Sequence, residues 1–168
     1  MMAESAVTPS LRLGGPADIE YVMATERLPG NEVLTARWTS EQHVQALARE
    51  GTRYLIGGSA RAAREGFAIL ENINDPHEGA KLKRIAVSNP GSGFGQPFLA
   101  GVIGWVFAST PAERLWLDVF TYNERARHVY RRVGMREDGI LRQAYVLPSG
   151  VRADRVIMSI LRSEWTQP

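Results

Sequence analysis

Apolar residues recur along this chain with two periods, and the change from one to the other marks its elements. In residues 83–107 the run Ile85-Ala86-Val87 has the composition of a strand core. It stops at Pro90-Gly91-Ser92-Gly93-Phe94-Gly95, a strong turn signal. Phe98, Leu99, Val102, Ile103 and Val106 then recur at helical spacing. Pro97 suits the first turn of that helix, where a missing N–H costs little. Further on, Leu115, Leu117 and Val119 alternate as in a strand. Residues 123–133 return to the helical period, with Ala126, Val129, Tyr130 and Val133 on one face and Arg125, Arg127, Arg131 and Arg132 off it. Thr121 and Glu124 are spaced as a capping box, and Gly134 is a stop.

The first half carries the same punctuation. Residues 1–9 have no apolar core and read as a tail, leaving residues 10–168 as a single domain. Leu11-Arg12-Leu13 is a short strand closed by Gly14-Gly15. Residues 16–27 predict a helix with Ile19, Val22 and Met23 apolar. Residues 28–38 predict a loop with a short helix, at a place where loops contribute to substrate pockets. Thr39 or Ser40 caps a helix over residues 41–49, with Val44, Leu47 and Ala48 inward. Tyr54-Leu55-Ile56 starts a strand, residues 57–64 form a small-residue insert, and residues 67–73 form the next strand. A turn at Asn74-Asp75-Pro76-His77 leads to a strand over residues 80–87. Strand–helix alternation in the second half, with antiparallel signals elsewhere, predicts an α/β (α+β) domain, its mixed sheet covered by helices on both faces.

Composition narrows the picture. The chain has 168 residues, enough for one domain with a real core. Hydrophobic residues make up 44% and charged residues 23%, ordinary globular values. A formal net charge of +2 does not support nucleic-acid binding, despite an isoelectric point near 9.2. With no cysteine, a thiolate nucleophile and a disulfide are excluded, and a reducing cytoplasm is the compatible location. No signal peptide and no membrane span are expected. His43, His77 and His128 have no metal-ligand spacing, so no metal is expected.

The glycine turn carries the chemistry. A glycine turn at a helix start presents backbone N–H groups at the positive end of the helix dipole, a site suited to phosphate or pyrophosphate. The dinucleotide fingerprint needs G-x-G-x-x-G; Gly91 and Gly93 fit, but the third position is Gln96, and Gly95 is one residue early. A P-loop would end in Gly-Lys-Ser/Thr, which is missing here. The pattern G-S-G-F-G-Q-P-F-L instead resembles the acetyl-CoA pyrophosphate loop of the GNAT acyltransferase superfamily, Q/R-x-x-G-x-G/A. Gly93 and Gly95 are in place, and Pro90 stands where the family has Gln or Arg. Residues 114–133, RLWLDVFTYNERARHVYRRV, resemble the strand and N-x-x-A-x-x-x-Y helix of the same superfamily, followed by Gly134-Met135 at its usual strand start. The closing hairpin, residues 137–161, is similar to the branch containing ribosomal-protein N-terminal acetyltransferases. The resemblance runs over residues 11–161.

The resemblance implies a GNAT fold, with a mostly antiparallel sheet and a splayed central parallel strand pair. It implies an N-acetyltransferase that uses acetyl-CoA and a primary amine, either a protein N-terminus or a small molecule, by direct attack. The cofactor would lie on the backbone of Ile85, Ala86 and Val87 and on Gly91, Ser92, Gly93, Phe94, Gly95 and Gln96. Tyr130 matches the tyrosine that protonates the departing thiolate. Asn123 matches the asparagine that orients cofactor or sheet backbone, although an N-cap explains it nearly as well. Arg125 or Arg127 would reach the 3′-phosphate. A general base must take the proton of the attacking amine. Many relatives use a glutamate in the strand before the loop, and residues 82–87 contain no acid. Glu71, Asp118 and a relayed water remain the candidates, and Asp118 equally suits a structural acceptor. The chain is expected to act as a monomer or homodimer without nucleic acid or membrane. Two rivals stand beside this reading: an acyl-CoA-binding sensor on the same fold without turnover, and a nucleotide-dependent oxidoreductase resting on the glycine turn alone.

Overall fold

Alternating apolar residues become strands wherever both faces of a sheet can be covered, and that happens over most of this chain. The computed structural model describes residues 8–31, 37–77 and 79–166. Among them, strands Ser10–Leu13 (β1), Arg53–Gly58 (β2), Gly66–Glu71 (β3), Ala80–Val87 (β4), Arg114–Phe120 (β5), Arg136–Val146 (β6) and Arg152–Leu161 (β7) form one sheet. Its order is β1-β2-β3-β4-β5-β7-β6. Helices Ile19–Glu26 (α1), Ser40–Leu47 (α2), Gly95–Ser109 (α3) and Glu124–Arg132 (α4) cover it. Neighbouring strands are antiparallel except β4 and β5. That parallel pair is in register only at Ala80–Leu115 and Lys81–Trp116, so the strands part beyond Lys81. The expected mixed sheet with a splayed central pair is what forms. Among the described residues no helix is long and apolar enough to cross a membrane.

The two faces bury different cores. α3 and α4 pack with Leu55, Leu70, Leu82, Leu115 and Leu117. On the other face, Val22 of α1 and Ala46 of α2 pack with Tyr54, Ile56, Phe67, Ile69 and Ala86. The change of side at each step along β2 is the two-residue alternation of a strand. In β4 the alternation slips once. Ile69 pairs with Arg84 and Leu70 with Leu82, leaving Lys83 as the extra residue of a bulge. The slip turns Arg84 and Ala86 to the α1 face.

Three expectations change. Gly57 and Gly58 belong to β2 and not to the insert after it, because a Cβ on Gly57 would stand 2.4 Å from the Phe98 ring. In α2, Val44 and Ala48 face solvent while His43 and Ala46 are buried. The helix is rotated because the Nδ1 of His43 hydrogen-bonds the Tyr54 hydroxyl at 2.7 Å. At α4 the cap is Asn123, whose Oδ1 accepts from the Ala126 N–H at 3.2 Å. Thr121 does not cap; its carbonyl accepts from the Arg127 Nη1. Thr39 caps α2 as expected, accepting from the Gln42 N–H. Of the predicted tail, residues 1–7 lie outside the described residues, as do residues 32–36 of the predicted pocket loop.

Candidate active site

The splay between β4 and β5 opens into a cavity of about 1910 Å³. Ligand sites for one drug-sized molecule run to roughly 300–1,000 Å³, so there is room for a cofactor and a second substrate. Ile85, Ala86 and Val87 line it, as do Gly91, Ser92, Gly93, Gly95, Gln96, Asn123, Arg125 and Tyr130. Residues predicted from two separate stretches therefore meet at one place.

Backbone geometry prepares the wall. The Gly14 N–H donates to the Tyr54 carbonyl at 2.8 Å, which sets the hydrogen-bonding phase of β2. Carried through the registers of β2–β3 and β3–β4, antiparallel alternation turns the backbone of Arg84 and Ala86 toward β3. The N–H and C=O groups of Ile85 and Val87 then face the gap. Asn31 ties this wall to α1: its Nδ2 donates to the Thr25 carbonyl at 2.7 Å and reaches the Val87 carbonyl at 3.4 Å.

The turn beyond β4 fits an anion. Gly91 and Gly93 have φ of +90° and +84°, where side chains are strained. A Cβ on either would meet nothing within 4 Å, so the bare side of the turn opens into free space. No side chain caps α3, and among the described residues the N–H groups of Gly95 and Gln96 have no acceptor. The start of a 15-residue helix thus presents free donors to the cavity. Phe94, expected among the cofactor contacts, is buried instead, with its ring stacked on Phe98 at 5.4 Å.

The polar side chains gather at the far wall. Trp116, Asp118 and Phe120 alternate with core residues of β5, so they stand on the sheet face away from α3. Asp118 lies 3.0 Å from the Lys81 Nζ and 2.6 Å from the Arg155 Nε. The Arg155 guanidinium packs against the rings of Phe120 (4.7 Å) and Tyr145 (5.4 Å) and donates to the Asp118 carbonyl at 2.9 Å. Tyr130 is half-buried and lines the same cavity. Burial pushes its phenol up to about 12; Arg155 opposes the rise and Asp118 adds to it. The hydroxyl is therefore a proton donor through the neutral range.

Two predicted residues lie elsewhere. Glu71 is outside the cavity lining, with its carboxylate 3.7 Å from the Lys83 Nζ. Arg127 is also outside it, engaged by Glu137 at 2.8 Å, by the Thr121 carbonyl at 2.7 Å and by Glu124. Asp118 is in the cavity but is held by two cations, which suits a structural acceptor better than a free base. Lys81, Arg84, Tyr145 and Arg155 line the cavity without having been singled out in the sequence. Arg155 had a readable signal: with Val156, Met158 and Ile160 inward, alternation turns it to the other face of β7. Among the described residues no cluster of His, Cys, Asp or Glu is placed to hold a metal.

No family model matches the chain. The ribosomal protein bS18-alanine N-acetyltransferase of Haemophilus influenzae is 34% identical over 96 residues, which are 56% of this chain and 62% of that relative. The chain thus matches less than two thirds of the relative's length. Among solved structures, the Vibrio cholerae spermidine N-acetyltransferase in complex with CoA and spermine is similar with a TM-score of 0.81 at 20% identity, covering 94% of this chain and 97% of that one. A chimera of the same enzyme with a human counterpart matches with the same TM-score and identity over 93% of this chain and 96% of its own. The fold is the GNAT fold.

Proposed function

We propose that this chain, built on the GNAT fold, is an N-acetyltransferase that moves an acetyl group from acetyl-CoA to a primary amine. One observation carries the reading: the β4–β5 splay exposes the backbone of Ile85 and Val87 beside a free-donor glycine turn and a protonated Tyr130. The donor set fits the group, since a pyrophosphate needs bare backbone N–H groups at a helix start and Gly91, Gly93, Gly95 and Gln96 supply that surface. Acetyl-CoA supplies an acetyl group already activated as a thioester.

The residues divide the remaining work. The gap-facing N–H of Ile85 or Val87 lies where a developing oxyanion needs a donor. Tyr130 holds the proton that a departing thiolate takes up. Asp118, ion-paired to Lys81 and Arg155, shapes the acceptor wall, and the amine proton leaves through water. Of the two expected arginines, Arg125 lines the cavity and is the one available to a cofactor phosphate. The homologous N-acetyltransferase of Haemophilus influenzae and the CoA-bound Vibrio cholerae neighbour support this chemistry.

The test is thermal unfolding with acetyl-CoA, CoA, NADH and ATP added separately, followed by thiol release with an amine panel. Acetyl-CoA at roughly 100 times its Kd raises stability by about 2.7 kcal/mol. A shift with acetyl-CoA and CoA but not NADH, with thiol release, is the expected result. A shift without thiol release for any amine would identify a sensor. No shift with either CoA species would remove the reading.

A further inference from the structure

We infer that the acceptor amine carries a carboxylate, which the Lys81–Asp118–Arg155 triad binds, and that Arg155 sets this specificity; the inference rests on the acetyltransferase reading of the same site.

The charge of the cavity points this way. Among the described residues, seven of the nine charged residues lining it are Arg or Lys. Both carboxylates are already engaged. Asp118 lies between Lys81 and Arg155, and Glu164 accepts from the Leu161 N–H at 3.0 Å and pairs with Arg136 at 3.2 Å. A polyamine needs unpaired carboxylates along its length, and this wall offers none.

The triad is also separate from the cofactor's anion site. The glycine turn leads into α3 on one face of the sheet, whereas Trp116, Asp118 and Phe120 stand on the opposite face. Arg155 is directly opposite Phe120 in register and shares that face. Two cations and one carboxylate leave the triad a net charge of +1. Arg155 holds its Nε 2.6 Å from the Asp118 carboxylate as an ion pair without hydrogen-bond alignment, gives its Nη2 to the Asp118 carbonyl, and has no partner for its Nη1 among the described residues. The rings of Phe120 and Tyr145 hold the guanidinium plane in place, so its remaining donors are presented without reorganisation. A fixed, weakly hydrated guanidinium beside a second cation recognises a carboxylate. Lys81, Asp118, Arg155 and Tyr130 line the same cavity, which puts the triad and the reacting centre in one space.

A carboxylate can come from a free amino acid or from an acidic peptide, and two matched pairs separate them. Thiol release from acetyl-CoA would be measured with alanine against alaninamide, with Ala-Glu-amide against Ala-Gln-amide, and with spermidine. The expected result is a kcat/KM at least roughly 10-fold higher for the carboxylated member of one pair, the scale of a charge-assisted hydrogen bond. The pair that discriminates names the source. Arg155→Met collapses the ratio toward one through a higher KM for the carboxylated acceptor, and Arg155→Lys keeps part of it. Lys81→Met gives the same readout if Arg155→Met does not fold. Matched pairs used equally, a preference for spermidine, or a ratio unchanged in both variants would overturn the inference. If acetyl-CoA raises the unfolding temperature and thiol is released while the ratio is one, this inference alone fails. If acetyl-CoA gives no shift, the acetyltransferase reading fails with it.

Discussion

The carboxylate of Asp18 takes the two guanidinium nitrogens of Arg12 at 2.7 and 2.8 Å and the Gly15 N–H at 3.0 Å. The Arg12 hydrogen bonds hold Asp18 below the usual carboxylate range and outweigh the opposing effect of burial. Because the folded pKa is depressed, its contribution is complete above the unfolded value of about 4 and is lost as pH falls through the folded one. Asp18→Asn should therefore lower stability by about 1 kcal/mol at neutral pH. Urea melts repeated in acid should show that difference shrinking as the native carboxylate is protonated. Tyr130 behaves in the opposite sense. Its phenol is raised to about 12, so it stays protonated while rising pH frees the acceptor amine. The rate should climb with pH and show no fall from Tyr130 below that value. Tyr130→Phe should cut kcat by roughly 10²-fold, the low end for a lost acid, while the acetyl-CoA thermal shift persists. A variant with full kcat would remove Tyr130 from the proton path.

At the scale of elements, one buried group joins both helices of the α1 face to the sheet. Glu26 of α1 binds Arg84 of β4 at 2.7 Å and lies 3.6 Å from the Nε2 of His43 on α2, whose Nδ1 bonds Tyr54 of β2. Trp38 closes the group, with the Arg84 guanidinium 4.1 Å from its ring centre. Glu26→Ala leaves Arg84 buried and uncompensated, at a cost of about 3–5 kcal/mol. A shift in the urea midpoint corresponding to under 1 kcal/mol would contradict that account. This group also explains what the amino-acid pattern concealed. The strands were legible because β2 is a short apolar run and β5 keeps period two, and β4 spans the expected residues 80–87 although its alternation slips at Lys83. The phase of α2 was not, since His43 goes inward for a hydroxyl eleven positions away. The cap of α4 went to Asn123 because its amide oxygen reaches the Ala126 N–H, while Thr121 is used by Arg127.

At the scale of the molecule, the site depends on a register that no local pattern contains. The glycine turn and the Tyr130 helix were legible as motifs, each within its own stretch. Where they meet is decided by β4 and β5 pairing at two positions and then separating, with the Lys83 bulge rotating Arg84 out of the α3 core. The acceptor wall was hidden for the same reason. Lys81, Asp118 and Arg155 come from three strands, and only the sheet order makes them neighbours.

That separation leaves the sheet with a seam. Four strands lie on one side and three on the other, stitched by a two-residue ladder and bridged by helices. Along the open part, Ile85 and Val87 behave as an edge strand inside the protein, while Arg84 and Ala86 remain in an ordinary ladder with β3. Amide exchange should therefore alternate residue by residue along one strand, fast at Ile85 and Val87 and slow at Arg84 and Ala86. A ligand lying in the seam would act as a missing strand. Acetyl-CoA should slow the fast pair, and the two half-sheets would then resist opening as one.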